Sequence, residues 1–410
     1  MTLFTSRRTM LKALGVGGMT LAAGCLAASE PTTAATQVQS DDTAVGQLEL
    51  LYEFARPTPQ MTFPGELPEN VAIDASGNKY VSIASLGHVW KFGPDNELEQ
   101  PNAAEGVPPF AVFPVSGTFL VGTIGLEVDA DGTVYVCFAS DFDKLEEDPG
   151  ESATNGIWTV KEGEAPELFA EITPLAAGAL TFPNDLVLFD DSLLVTDSLS
   201  GVVWQVRKDE ATVWSDSPLL AGGEDFGADG IQVSRDGATV YVTNIARGSI
   251  VAIPVNEDGT AGEASVFVDG LAGPDGLAMD VDGNLYVADN RGNQIVRVSP
   301  DANVEVLAQN DGQDDEDTDD DGEQEQNGDQ DQDRDRDGDQ DGEQDQDRDR
   351  DQDCVTEDGA PVLDSPADVT FGTTEGEETS VFIVNLAFSA DPKPSLMKLD
   401  VGIQGFPATE

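Results

Sequence analysis

The chain has 410 residues, with 79 acidic side chains against 20 basic ones, a net charge of −59 and a single histidine. That balance excludes nucleic-acid binding, which needs basic patches. One histidine leaves no His-rich zinc site and little room for a Ser-His-Asp triad, and three cysteines do not make a disulfide framework.

Residues 1–25 read as an address. Arg7 and Arg8 precede a short apolar run that closes on Leu21-Ala22-Ala23-Gly24-Cys25. The run is too short for a permanent membrane span. The arginine pair resembles a twin-arginine export signal and "LAAGC" resembles a lipobox, so Cys25 is the expected lipid-bearing residue. The expected location is the outer face of the cytoplasmic membrane, through a lipid anchor only, or the exterior. Residues 26–47, rich in Thr, Ala and Ser, read as a flexible tether.

From residue 48 to 410 one hairpin pattern recurs six times, which indicates an all-β six-bladed β-propeller. The paired strands are Val71–Asp74 with Lys79–Ile83, Leu126–Asp129 with Thr133–Phe138, and Leu186–Phe189 with Leu193–Thr196. They continue with Ile231–Ser234 and Thr239–Thr243, Leu277–Asp280 and Asn284–Ala288, and Val369–Phe371 and Ser380–Val384. Asp131-Gly132, Asp236-Gly237 and Asp282-Gly283 supply the positive φ of tight hairpins. Third strands follow most copies, and weaker fourth strands follow at 168–170, 212–214, 265–268 and 304–307. The sixth copy has only three strands. The orphan strand "LELLYEFA", Leu48–Ala55, is expected to complete it and close the ring. No other segment after the signal reads as a long amphipathic helix, and a monomer is expected.

Residues 309–361 interrupt the propeller between blades five and six. Within them, 311–358 hold 25 acidic and 4 basic residues, so this stretch contributes −21 and the rest of the chain −38. With almost nothing to bury, the insert is expected to be disordered. "DRDRDGDQDGEQ" (333–344) spaces its acids like a calcium loop but lacks the acid at position twelve, so a solvated spacer is the simpler reading. Acid spread over the whole chain, with few lysines, resembles a secreted halophile protein.

In a propeller the first strand of each blade lines the central channel. Aligning the six copies places Glu69, Ile124, Asn184, Asp229, Asp275 and Ala367 in one slot. Three carboxylates converging on an axis raise each other's pKa, and a bound cation removes that penalty. Glu69, Asn184, Asp229 and Asp275 offer only oxygen, which suits one divalent cation: Ca²⁺ first, Mg²⁺ or Mn²⁺ next. The alternative is that Asp or Asn before Gly merely shapes the strand entry. A second set, Asp197, Asn244, Asp289 and Asn385, returns to the same face, where it would hydrogen-bond a sugar-like substrate or cap turns. His88 and Cys137 read as structural residues of blades one and two.

"PDGLAMDVDGNLYVADNRGNQIVRV" (274–298) resembles the fifth-blade signature of the gluconolactonase/regucalcin (senescence-marker-protein) family of six-bladed propellers. The resemblance implies one divalent metal in the channel, with Glu69 and Asp275 as ligands and Asn184 of "FPND" as a helper. Asp229 of "ADG" stands where the family has an Asn, and "LPENV" departs from the family's blade-one form. The implied activity is metal-dependent hydrolysis of a lactone or sugar ester. The metal would polarise the carbonyl while Asp275, or Asp229, activates water. The competing reading is a non-catalytic NHL-like binding propeller on the cell surface. A third is a purely structural metal.

Overall fold

In a computed structural model, residues 46–55, 65–99, 109–113, 122–139, 154–176, 179–310, 361–388 and 393–406 are described. They form six four-stranded antiparallel sheets. The innermost strands are Pro68–Ile73, Gly122–Val128, Pro183–Phe189, Ala228–Val233, Pro274–Met279 and Pro366–Phe371, for blades one to six. Each touches the next, and the sixth returns to the first, so the sheets close into a propeller. The signal, Cys25, most of the tether and residues 311–360 of the insert lie outside the described residues.

Leu48–Glu53 pairs antiparallel with Ser395–Asp400 and completes blade six, as expected from the orphan strand. Side chains reinforce this seam. Lys79 of blade one is fully buried, its Nζ donating to Glu377 Oε2 of blade six at 2.9 Å and lying 4.8 Å from the centre of the Phe382 ring. Burial pulls its pKa down, and the Glu377 carboxylate opposes that shift. Farther on, the Phe406 amide donates to the Met279 carbonyl and ties the chain's last described residue to blade five.

Packing explains why the second strands were the clearest in the sequence. Ser192–Asp197 and Ser380–Asn385 are buried at every position, because each is flanked by strands of its own blade and covered by the neighbouring blades. Apolar clusters fill the gaps between blades. Val187, Leu194, Val203, Ile231, Val242 and Val251 make one between blades three and four. Fourth strands face solvent, with Val112, Leu168, Val213, Val266 and Val304 exposed. Blade one's is the two-residue pair Ala111–Val112, which the sequence did not signal. The Asp-Gly turns behave as expected, with Gly132, Gly237 and Gly283 at φ of 74°, 68° and 84°.

The innermost strands begin three or four residues earlier than the hydrophobic pattern indicated. In every blade the register with the second strand slips at that point, for example between Pro274 and Leu277. Such a bulge leaves backbone groups unpaired and turns a side chain away from the sheet. In three blades a hydroxyl of the second strand bonds the freed backbone. The Asn70 amide donates to Ser82 Oγ (3.0 Å), the Asp185 amide to Thr196 Oγ1 (3.0 Å) and the Gly230 amide to Thr243 Oγ1 (2.7 Å).

Candidate metal and active site

The bulges turn residues of each first strand toward the axis, among them the slot aligned from sequence. Asp229 and Asn184 are buried there, whereas Glu69 and Asp275 are only half-buried and keep contact with solvent. Ile124 and Ala367 fill the slot in blades two and six and are buried. The carboxyls of Asp229 and Asp275 lie within hydrogen-bonding reach of each other. Asp229 Oδ1 is buried with no hydrogen-bond partner among the described residues.

Two neighbours orient the ring. Ser198 Oγ donates its proton to the Ala228 carbonyl (2.7 Å), so it can only accept from Asn184, whose Nδ2 donates to it at 3.0 Å. That commits the amide nitrogen and leaves Asn184 Oδ1 for the channel. Asn290, in a 3-10 turn directly after the second strand of blade five, donates Nδ2 to Asp275 Oδ2 at 3.1 Å.

A second axial layer follows one residue later: Asn70, Gly125, Asp185, Gly230, Gly276 and Asp368. Its polar members tie blades together. The Leu126 amide donates to Asn70 Oδ1 (3.0 Å), the Ile231 amide to Asp185 Oδ2 (3.0 Å) and the Val71 amide to Asp368 Oδ2 (3.1 Å). Its glycines yield space to the adjacent blade: a Cβ on Gly276 would come within 2.7 Å of Asp368 Cα, and one on Gly125 within 2.7 Å of Asp185 Cα. The Gly of "PDG" is therefore required by blade-to-blade contact. Sequence reading missed Asp185 and Asp368. Taking one slot per blade concealed that the bulge presents two successive residues to the axis.

Burial is the main cause of raised pKa values here, and mutual repulsion adds to it. Asp229 is pushed up to about 8 by burial, then by Asp185; the hydrogen bond with Asp275 and the Arg291 charge oppose the shift. Asp185 is pushed up to about 7 by burial, against the Ile231 and Leu186 amides and Asn70. Glu69, Asp275 and Asp368 are held well above the carboxylate range, again by burial first and neighbouring acids second. Farther along blade two's first strand, burial lifts Glu127 to about 8. This desolvated acid has the hard-oxygen chemistry that a divalent cation neutralises. Among the described residues no three acidic, imidazole or thiol side chains already stand as a ready coordination cluster.

The second set does not join the ring. Asp197 accepts from the Phe182 and Ser200 amides (both 2.9 Å) and from Trp204 Nε1 (3.2 Å). Asn244 Nδ2 donates to the Leu219 carbonyl (3.0 Å), and its Oδ1 accepts from the Arg247 amide (3.1 Å). Asp289 accepts from the Gly273 amide (2.6 Å) and from Gln294 Nε2 (2.7 Å). Asn385 accepts from the Asp364 amide (2.8 Å). All four are fully buried. Of the two roles weighed from sequence, the geometry supports turn capping: the hydrogen-bonding capacity is taken by the protein and no face is left for a substrate. His88 sits half-buried in blade one's third strand, with its pKa lowered by burial, and Cys137 is fully buried in blade two's second strand.

Residues 226–308, which carry Asp229 and Asp275 on blades four and five, match the SMP-30/Gluconolactonase/LRE-like region. The chain resembles that family. A lactonase, drp35, of Staphylococcus aureus is 23% identical over 260 residues, which is 60% of this chain and 70% of the relative. A gluconolactonase of Xanthomonas campestris superposes with a TM-score of 0.50 at 16% identity, covering 88% of this chain and 89% of the other. The calcium-binding protein regucalcin of Agrobacterium tumefaciens does so with 0.50 at 15%, covering 86% and 95%. At such identity the solved structures establish the shared fold.

Proposed function

We propose that the protein is a divalent-metal-dependent hydrolase of a lactone or sugar ester. The observation that carries this reading is the buried Oδ1 of Asp229, without a partner among the described residues, beside the Asp275 carboxyl, on a ring whose other polar members, Glu69 and Asn184, offer oxygen. The names of the S. aureus and X. campestris relatives support the reaction class, and that of the A. tumefaciens neighbour supports calcium, with magnesium or manganese next.

Glu69, Asn184 Oδ1, Asp229 and Asp275 would hold the ion. When bound, it supplies a Lewis acid that polarises the ester carbonyl and stabilises the charge developing on its oxygen. The residues do the rest. Asn290 donates to Asp275 Oδ2 and fixes the orientation of this carboxylate, which at the edge of the ligand set takes a proton from water. The water oxygen bonds to the carbonyl carbon, the ring C–O bond breaks, and the proton passes from Asp275 to the leaving alkoxide. Asp229, more deeply buried, stays a ligand. Ser198 holds Asn184 in the orientation that offers oxygen rather than nitrogen.

The test is metal content of the purified protein together with hydrolysis of a lactone panel before and after chelation. One tightly held ion per chain, with activity lost to chelator and restored by calcium, is expected. Full activity in metal-free protein overturns the reading. Metal without turnover, with a lower Tm on its removal, makes the ion structural; neither metal nor turnover favours the NHL-like binding propeller. The signal reading further proposes export and a lipid anchor at Cys25, tested by membrane release on Cys25→Ala.

A further inference from the structure

Arg291 brings positive charge close to this acidic ring. It follows Asn290, which holds Asp275. Its stem lies against Gly273, where a Cβ would come within 2.7 Å of Arg291 Cγ and Cδ, so the glycine before Pro274 lets the arginine lie flat beside the strand that carries Asp275. Its Nη2 donates to both oxygens of Asp225, at 3.0 and 2.8 Å. Asp225 belongs to the loop 217–227 between blades three and four. That loop is fixed from behind: Arg247 donates Nε to the Ala221 carbonyl and Nη2 to the Pro218 carbonyl, both at 2.9 Å, and Leu220 is fully buried. The pair itself stays accessible, with side chains 23% and 28% exposed.

We propose that Arg291 is a specificity-determining residue that receives a carboxylate on the substrate. The favoured ligands are then sugar-acid lactones that carry a free acid group, and Asp225 is the guanidinium's partner when no ligand is bound. The inference rests on the lactonase reading for its substrate class. A channel of carboxylates repels an anionic ligand, so recognising one requires a compensating cation at the rim. A guanidinium takes a carboxylate through two N–H donors, which a hydroxyl does not reproduce. A partly exposed ion pair contributes little to stability and is readily exchanged for another. Binding an acid group replaces one such pair by another of the same kind, whereas a neutral polyol leaves Arg291 on Asp225.

The test uses calcium-loaded protein at buffered free calcium. Calorimetry compares glucarate with gluconate, which differ by one carboxylate, and turnover compares glucaro- with gluconolactone. Wild type is expected to bind glucarate at least on the order of tenfold more tightly. Arg291→Gln removes that preference, Arg291→Lys retains part of it, and Asp225→Asn keeps or increases it. The two milder variants carry the test if Arg291→Gln is unstable. Absence of preference in wild type overturns the proposal, as does an equal loss for both ligands in Arg291→Gln or a loss of preference in Asp225→Asn. Preference in binding without opening of either lactone overturns the lactonase reading and leaves Arg291's role standing. Turnover without preference does the reverse.

Discussion

Two sets of polar residues repeat from blade to blade, and they are alike in composition. The axial set is Glu69, Asn184, Asp229 and Asp275, and the strand-exit set is Asp197, Asn244, Asp289 and Asn385. In the strand-exit set every residue spends its oxygens on amides of the same junction, as Asp197 does with Phe182, Ser200 and Trp204. In the axial set Asp229 keeps an oxygen with no partner among the described residues, and its carboxyl faces that of Asp275. Residue type does not separate a structural acid from a chemical one; the fate of its hydrogen-bonding capacity does.

That contrast is tested most sharply by removing one member of each set. Asp275→Ala is expected to lower kcat/KM by on the order of 10³-fold, the scale of a lost general base, with no loss of stability in metal-free protein. Lactone kinetics paired with chemical denaturation decide this, and a destabilised variant would make Asp275 structural. Asp197→Ala should do the opposite. It strands two amides and an indole N–H in the interior, at a cost of roughly 3 kcal/mol in urea unfolding, while the surviving folded protein keeps its metal stoichiometry.

Acidity separates the sets next. The folded-state pKa values of Asp229 and Asp185, about 8 and about 7, lie above those of an unfolded carboxylate. Between about pH 4 and pH 8 the folded state therefore binds more protons than the unfolded one, and metal-free stability falls as pH rises through that window. Thermal melts in chelator should show a lower Tm at pH 8 than at pH 5, and added calcium should abolish or reverse the trend. A flat profile would mean that the acids are ionised and compensated. The smallest effect concerns orientation. Ser198→Ala frees the Asn184 amide to rotate and should weaken calcium binding by about tenfold, read by calorimetry, with Tm in chelator shifted by a few degrees at most.

Much of the architecture was legible in the chain. Hydrophobic alternation and Asp-Gly turns gave the six hairpins, because burial between blades forces apolar residues onto the second strands. The lone strand at Leu48–Glu53 announced ring closure, since a sheet edge needs a partner. Equivalent positions in repeats also named Glu69, Asn184, Asp229 and Asp275 without coordinates. Other features were decided by tertiary structure. Asp185 and Asp368 reach the axis only because each first strand bulges, and a bulge is a register between two strands that no single strand encodes. Asp197 and Asp289 look like binding residues until their amide partners appear, and those partners are set by how each junction folds back. Arg291 meets Asp225 across 66 residues of sequence, through a loop held by a third blade element. Local pattern determined which segments become strands; the closing of six sheets about one axis decided which acids are satisfied and which face one another, because only that closure brings the first strands of different blades together.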